Sequence, residues 1–377
     1  MSLPRRLLPK QTHTTTRRVS QRQFLLKPTP EVNQILLYAL GVALERHPKV
    51  AFHGNFAHVN HKHEAVTDTH KPGETSELSD FYRDYHSLAA RALNAHWGRG
   101  EAFWRPGRFG NVETHTPMDL EEQLLYMWTN GTKDGLVERP EDWPGVVFLP
   151  EDFGREIVVK KPTGAFFGGR RPKHLPSGPL NAEARRLAEL AEAESEALKL
   201  SRQRERDQRR GRSRKRQRQL ESQRKRRKQR KARAPRPVRD RSSLPAEVRI
   251  KIARPPGYEH LTLEEVRQHF RALLDARLAE IHAERRAEGL GYKGAAAILA
   301  ESHTKRAGGT LPSFARNPCI AAKNVELRIA LLQGLQAFRG RYREARVAWG
   351  KGNREVRFPL GTYGMVRFHQ ALVEVPP

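Results

Sequence analysis

Cysteine is almost missing from this chain, with only Cys319 in 377 residues. An intramolecular disulfide is therefore impossible and a zinc site built on several thiolates is excluded, which fits a reducing, cytoplasmic compartment. Long apolar runs are missing too. No stretch of about 18 residues is continuously apolar, and the opening Met1-Ser2-Leu3-Pro4-Arg5-Arg6 has no long apolar segment behind its charges. Neither a membrane span nor a cleaved secretory signal is expected. Acid is scarce relative to base: 42 Asp and Glu stand against 70 Lys and Arg, a formal net charge of +28 with a pI near 10.8. That excess favours a polyanionic partner, which for a soluble protein usually means nucleic acid.

The apolar fraction of 37% supports more than one core, and the pattern divides the chain in three. Up to about residue 168 the period alternates between strand and helix, as in an α+β domain. Thr12 to Val19 reads as a strand, Pro30 opens a helix through Leu44, and Val50 to Phe56 and His61 to Thr67 read as adjacent strands. A helix over about Ser76 to His96, a short strand at Phe109 to Val112 and a helix from Met118 to Lys133 follow. That order predicts a ferredoxin-like antiparallel sheet with helices on one face. Residues 169–243 form a basic low-complexity linker, helical or disordered. Its densest part, 199–241, has 22 basic and 4 acidic residues and so carries +18 of the net charge. Residues 244–377 are expected to be a mainly helical C-terminal domain, with helices around Leu263 to Leu278 and Val325 to Tyr342 and a short strand at Val356 to Tyr363. Basic helices there could enter a DNA groove, and a packed bundle explains the same pattern.

Two short segments carry the chemistry. In Asn60-His61-Lys62-His63-Glu64, strand alternation points His61 and His63 the same way, so both can grip one cation. In Tyr126-Met127-Trp128-Thr129-Asn130, helical spacing puts Tyr126 and Asn130 on one face. Two imidazoles with the Asn130 carbonyl as a third ligand leave open positions for a substrate. Taken alone, a His-x-His is more often an ordinary pair, and a Tyr four residues before an Asn is common packing. Lys62 sits where the strand should meet the core, and Glu64 on the same face can be its partner. His13, His53, His58 and His70 crowd the region as accessory ligands, proton shuttles or plain structural histidines.

The two segments, in this order and with Gly135-Leu136-Val137 and Trp143-Pro144 following, resemble the HUH-type single-tyrosine transposases, most closely the REP-associated tyrosine transposase branch. Thr16-Arg17-Arg18, Gln21-Arg22-Gln23-Phe24, Phe103-Trp104 and Pro140-Glu141-Asp142 support the likeness, which covers about residues 10–150. Lys62, between the histidines where the family has a bulky apolar or aromatic residue, departs from the family pattern, and so does Gly131-Thr132, which stands in place of Pro-Val after the asparagine and is expected to loosen the end of the tyrosine helix. The resemblance implies a DNA transposase of a mobile element that cleaves and rejoins single-stranded or hairpin DNA. Tyr126 would attack a phosphate to leave a 5′ phosphotyrosine, assisted by Mg or Mn held by His61, His63 and Asn130. DNA contacts are expected from Arg17, Arg18, Arg22, Arg105, Arg108 and Lys133, and from Lys215, Arg216, Arg226 and Arg227 in the basic stretch. A monomer and a homodimer are both compatible with the family. The other readings are an inactive, transposase-derived nucleic-acid-binding protein and a metal hydrolase that uses water.

Overall fold

The computed structural model describes residues 4–107, 109–164, 166–167, 244–308 and 319–374. The described residues within 4–167 and 245–374 gather into one compact unit, to which every element below belongs. The expected linker over 169–243, with Lys215, Arg216, Arg226 and Arg227, lies outside the described residues, as does Arg108.

Strand β1 (Thr12–Arg18) is rich in β-branched threonine, which suits a pleated surface. It leads to α1 (Pro30–Arg46), where Thr29 caps the helix by accepting from the Val32 amide and Pro30 occupies the first turn, where no amide hydrogen is needed. Strands β2 (Val50–Ala57) and β3 (His61–Asp68), helix α2 (Leu78–His96) and strand β4 (Gly110–Thr114) follow. The four strands pair antiparallel in the order β2-β3-β1-β4, so α1 carries the chain from β1 to a strand parallel to it, with β3 between them. Helix α3 (Pro117–Lys133) opens with a capping box in which Thr116 and Asp119 exchange side-chain and backbone hydrogen bonds. It ends at Gly135, whose φ of 68° is the left-handed conformation that favours glycine.

Helices were expected on one face of the sheet, and the structure uses both. Lys62 and Glu64 meet α2, which lies beside α1, whereas His61 and His63 face α3. Strand alternation decides this: each odd residue of β3 must be covered independently of its even neighbours. The departure at Gly131 does not break α3, which continues to Lys133. A Cβ at Gly131 would stand 3.2 Å from the Phe56 ring, so the glycine lets the helix approach β2 closely.

Strands β5 (Glu156–Lys160) and β6 (Glu247–Lys251) form a separate antiparallel pair that packs against α1. Helix α4 (Leu263–Ala287) packs on α3 through Phe270, which meets Trp128 edge-on at 5.9 Å, and α5 (Ala295–Ala300) follows. Strand β7 (Ile320–Ala321) extends the main sheet, parallel to β4. Helix α6 (Val325–Gly350) covers it with Leu335 and Phe338, and α7 (Gly364–His369) closes a second small apolar cluster around Phe358. The class is α+β. The strand expected at Val356 to Tyr363 is not formed: Phe358 makes one isolated bridge, to Val373, and Gly361 turns the chain at a φ of 90°. Among the described residues no helix is long and apolar enough to cross a membrane.

Candidate active site on the β3–α3 face

The register of the sheet assembles this site. Thr16 pairs with His63 and Arg18 with His61, so two β1 side chains stand beside the two imidazoles on the face that α3 crosses. The imidazole rings meet edge to face, 4.8 Å apart. Asn60 Oδ1 accepts from His61 Nδ1 at 2.6 Å, an assignment that leaves the Nε2 lone pair of His61 free. His63 Nδ1 lies 2.9 Å from Thr16 Oγ1, and its Nε2 lies 3.2 Å from the Asn130 amide nitrogen. One tautomer satisfies both contacts of His63: Nδ1 donates to Thr16, and Nε2 accepts from Asn130. Turning the Asn130 amide over would present its oxygen instead.

Burial holds both imidazoles neutral. His63 is lowered to about 3, first by desolvation and then by His58 and Arg18; His61 is held well below its usual range, first by desolvation and then by His63. Neutral imidazoles with Nδ1 engaged and Nε2 available are what a metal ion requires of histidine ligands. His61 meets this requirement as it stands, and His63 and Asn130 meet it once the Asn130 amide is turned over, which frees His63 Nε2 and presents the Asn130 oxygen; in that setting the three fit a divalent cation with open positions. Among the described residues there is no group of three or more His, Cys, Asp or Glu that could hold a metal ion.

Tyr126 sits one helical turn before Asn130. Its ring packs edge-on against His63, with centroids 5.5 Å apart, and it remains 49% exposed. Its phenol is pushed above 10, first by partial burial and then by Asp134, while Arg18 opposes the shift. Arg18 is exposed, and among the described residues its side chain has no hydrogen bond or ion pair. The other candidate DNA contacts are spread more widely. Arg17 donates to the Gly107 carbonyl at 3.2 Å, and Arg22 is tied to the Gly308 carbonyl. Arg105, whose amide bonds to the Arg18 carbonyl, and Lys133 are exposed.

No protein-family model and no curated protein matches the chain. Among solved structures the chain is similar to one described as the REP associates tyrosine transposase bound to a REP hairpin. Identity is 22%, covering 40% of this chain and 85% of that one, with a TM-score of 0.33. So slight a likeness carries no chemistry, and the site's reading rests on its own geometry.

Of the four extra histidines, only His58 joins the site. Its ring stacks on His61 at 4.7 Å and on Trp143 at 5.7 Å, and its Nε2 is 3.3 Å from Asp134 Oδ2 without hydrogen-bond geometry. Its place in the loop after β2 gave the sequence no periodicity from which to read this. The remaining three are structural: His53 bridges Thr67 and the Ala253 carbonyl, His70 bonds Asp68, and His13 contacts Asn111. Behind the strand Lys62 finds Glu64, as expected, and its ammonium lies 3.8 Å from the centre of the Tyr85 ring. Burial lowers Lys62 to about 8 against the pull of Glu64.

Proposed function

We propose that this protein cleaves and rejoins single-stranded DNA through Tyr126, with the chemistry confined to residues 1–168. The observation that carries the reading is the packing of a half-exposed tyrosine edge-on against His63, with Asn130 one turn on and a second neutral imidazole beside it. The split arrangement in which β3 lies between β1 and β2 supports a ferredoxin-like platform beneath the site. In the step proposed, the phenol loses its proton and its oxygen forms a bond to a backbone phosphorus. The bond from phosphorus to the 3′ oxygen breaks. The 5′ phosphate stays on the tyrosine, and the released 3′ oxygen takes up a proton. Rejoining is the same step run backward onto a 3′ hydroxyl.

His61, His63 and Asn130 would hold a magnesium or manganese ion, which polarises the phosphate and stabilises charge on the departing oxygen. Arg18, exposed on the same face and without a hydrogen bond or ion pair among the described residues, binds the phosphate and favours the phenolate, as its opposition to the raised Tyr126 pKa indicates. Thr16 and Asn60 orient the two imidazoles. An inactive nucleic-acid-binding descendant is the second reading, favoured by one observation: the Tyr126 phenol is held above its ordinary pKa, which makes the nucleophile harder to generate.

The deciding experiment incubates the protein with labelled single-stranded hairpin DNA and manganese, and compares the natural chain with Tyr126→Phe and Arg18→Ala on a denaturing gel. A covalent adduct is expected with the natural chain, none with Tyr126→Phe, and at least tenfold less with Arg18→Ala. Removing one charge-assisted contact to the reacting phosphate is worth roughly that much. Binding without any adduct across a varied set of hairpins selects the silent descendant instead. An adduct that persists in Tyr126→Phe rules out this tyrosine.

A further inference from the structure

The tyrosine helix is held at both ends by residues from the C-terminal half of the chain. Near its start, Glu122 Oε1 receives Lys323 Nζ at 2.8 Å and Arg277 Nη2 at 3.2 Å. The adjacent Glu121 Oε1 accepts from Tyr258 Oη at 2.5 Å and lies 2.7 Å from His269 Nε2. The Lys323 amide donates to Asp119 Oδ1 at 2.8 Å. At the other end Arg285 donates to the Lys133 carbonyl at 3.2 Å, while the Lys293 and Gly294 amides donate to the Gly135 and Leu136 carbonyls at 2.9 Å each. Arg285 approaches this closely because residue 135 is a glycine: a Cβ there would stand 2.9 Å from its Cζ. Phe270 fills the middle against Trp128.

These contacts cover different degrees of freedom. Side chains tie the sheet to α3: Asn130 contacts His63 on β3, and Gln123 Oε1 accepts from Thr14 Oγ1 on β1 at 3.1 Å. Rotation of α3 about its axis, or a slide along it, would carry Tyr126 off His63 without breaking the helix. Two carboxylates anchored to four partners at one end, and three backbone carbonyls anchored at the other, oppose both movements. Glu122 is four residues before Tyr126 and therefore on the same face, so a turn of the helix moves the two together.

We propose that the C-terminal half is a positioning brace for the nucleophile, in which Glu122, held by Arg277 and Lys323, fixes the rotational setting of α3 that keeps Tyr126 against His63. The proposal rests on the tyrosine reading and gives residues 245–377 the task of holding the nucleophile in place, while the chemistry stays within residues 1–168. Glu122 is a positioning residue, since it acts through Tyr126. The partial exposure of Glu122, Arg277 and Lys323 fits this role: a solvated ion triad contributes little to global stability yet still selects one geometry.

The test uses the full chain and the variants Glu122→Gln and Lys323→Met. Single-turnover adduct formation on labelled hairpin DNA gives a rate at saturation and a half-saturating DNA concentration. The ring-proton NMR shifts of His63, set by the Tyr126 ring packed edge-on 5.5 Å away, report the rotational setting directly. Each variant is expected to lower the saturated rate at least tenfold, with half-saturation unchanged within twofold. The His63 ring shifts should move, and those of His53 should stay unaltered. A purely structural contribution would lower the melting temperature and the active fraction while leaving the rate per active molecule and the His63 shifts as they were, and that result overturns the brace. If the natural chain forms no adduct, the tyrosine reading fails, and the shifts decide the brace alone: a change confined to the His63 ring supports it, and unchanged shifts refute it.

Discussion

Lys62→Met is the sharpest probe of how this fold tolerates charge behind the candidate site. Lys62 and Glu64 are each 1% exposed and pair with one another, with Thr15 Oγ1 3.3 Å from the other carboxylate oxygen and the Tyr85 ring 3.8 Å from the ammonium. Methionine fills the same volume but leaves the Glu64 carboxylate buried with hydroxyl partners alone. Breaking a buried pair on one side costs roughly 3–5 kcal/mol, and the lost ring contact adds about 0.5–2 kcal/mol. Against a typical domain stability of about 5–15 kcal/mol, that is a large fraction. Urea denaturation at pH 7.5 should show this loss for Lys62→Met and recover most of it in Lys62→Met with Glu64→Leu, because replacing both charges removes the unpaired group. If the single variant is as stable as the natural chain, Glu64 does not carry a buried charge and the account of the pair is wrong. If the double variant is no better than the single one, the loss comes from packing around residue 62.

Two further outcomes follow from burial and close approach. His13 and His53 are each held at about 4 by desolvation, whereas the unfolded chain takes up their protons near 6.5. Between those values the unfolded state binds more protons, so stability should rise with pH from about 4.5 to 6.5 and level off above. The slope is at most about 1.4 kcal/mol per pH unit for each histidine. Urea midpoints measured across that range should lose one histidine's share of the slope in His53→Gln; an unchanged slope would exclude His53 as a source. At Gly41, in the middle of α1, a Cβ would collide with the Val248 side chain on β6, whose Cβ is 2.9 Å away. Gly41→Ala should therefore destabilise by about 1–3 kcal/mol despite the better helix propensity of alanine. Adding Val248→Ala should return most of the loss in thermal denaturation, and failure to do so would mean that β6 does not press on α1 as described.

What the sequence made legible were the parts set by local period. His61 and His63 fall on one face because strands alternate, and Tyr126 and Asn130 share a face because four residues make about one turn; both relations are present. The start of α1 at Pro30, the end of α3 at Gly135 and the Lys62–Glu64 partnership were likewise readable from neighbouring residues. What escaped depends on contacts between distant segments. The pairing of β5 with β6 joins residues about ninety positions apart, and Glu156-Ile157-Val158-Val159-Lys160 gave no hint of its partner. The stack of His58 between His61 and Trp143 needs the loop after β2 to return to the site, which no period encodes. The segment at Val356 to Tyr363 shows the reverse error: an apolar alternation suggested a strand, but Pro359 and Gly361 turn the chain before a ladder can form.

The two faces of β3 explain why a lysine can stand between two candidate metal ligands. A positive charge behind the strand is unfavourable for protonated imidazoles in front of it, and Lys62 is indeed among the groups that lower His63. Its partner Glu64 lies on the same far face and pairs with it, so Lys62 is the least of the groups that lower His63, and burial is the main cause that keeps His61 and His63 neutral. An apolar residue at position 62 would give α2 a simpler surface to cover, but it would not add this push. The departure that made the motif look damaged in the sequence is therefore compatible with the protonation state the site needs. On the proposed tyrosine reading, activity depends on α3 holding Tyr126 against His63 and on Arg18 drawing a phenol raised above its ordinary pKa toward the phenolate.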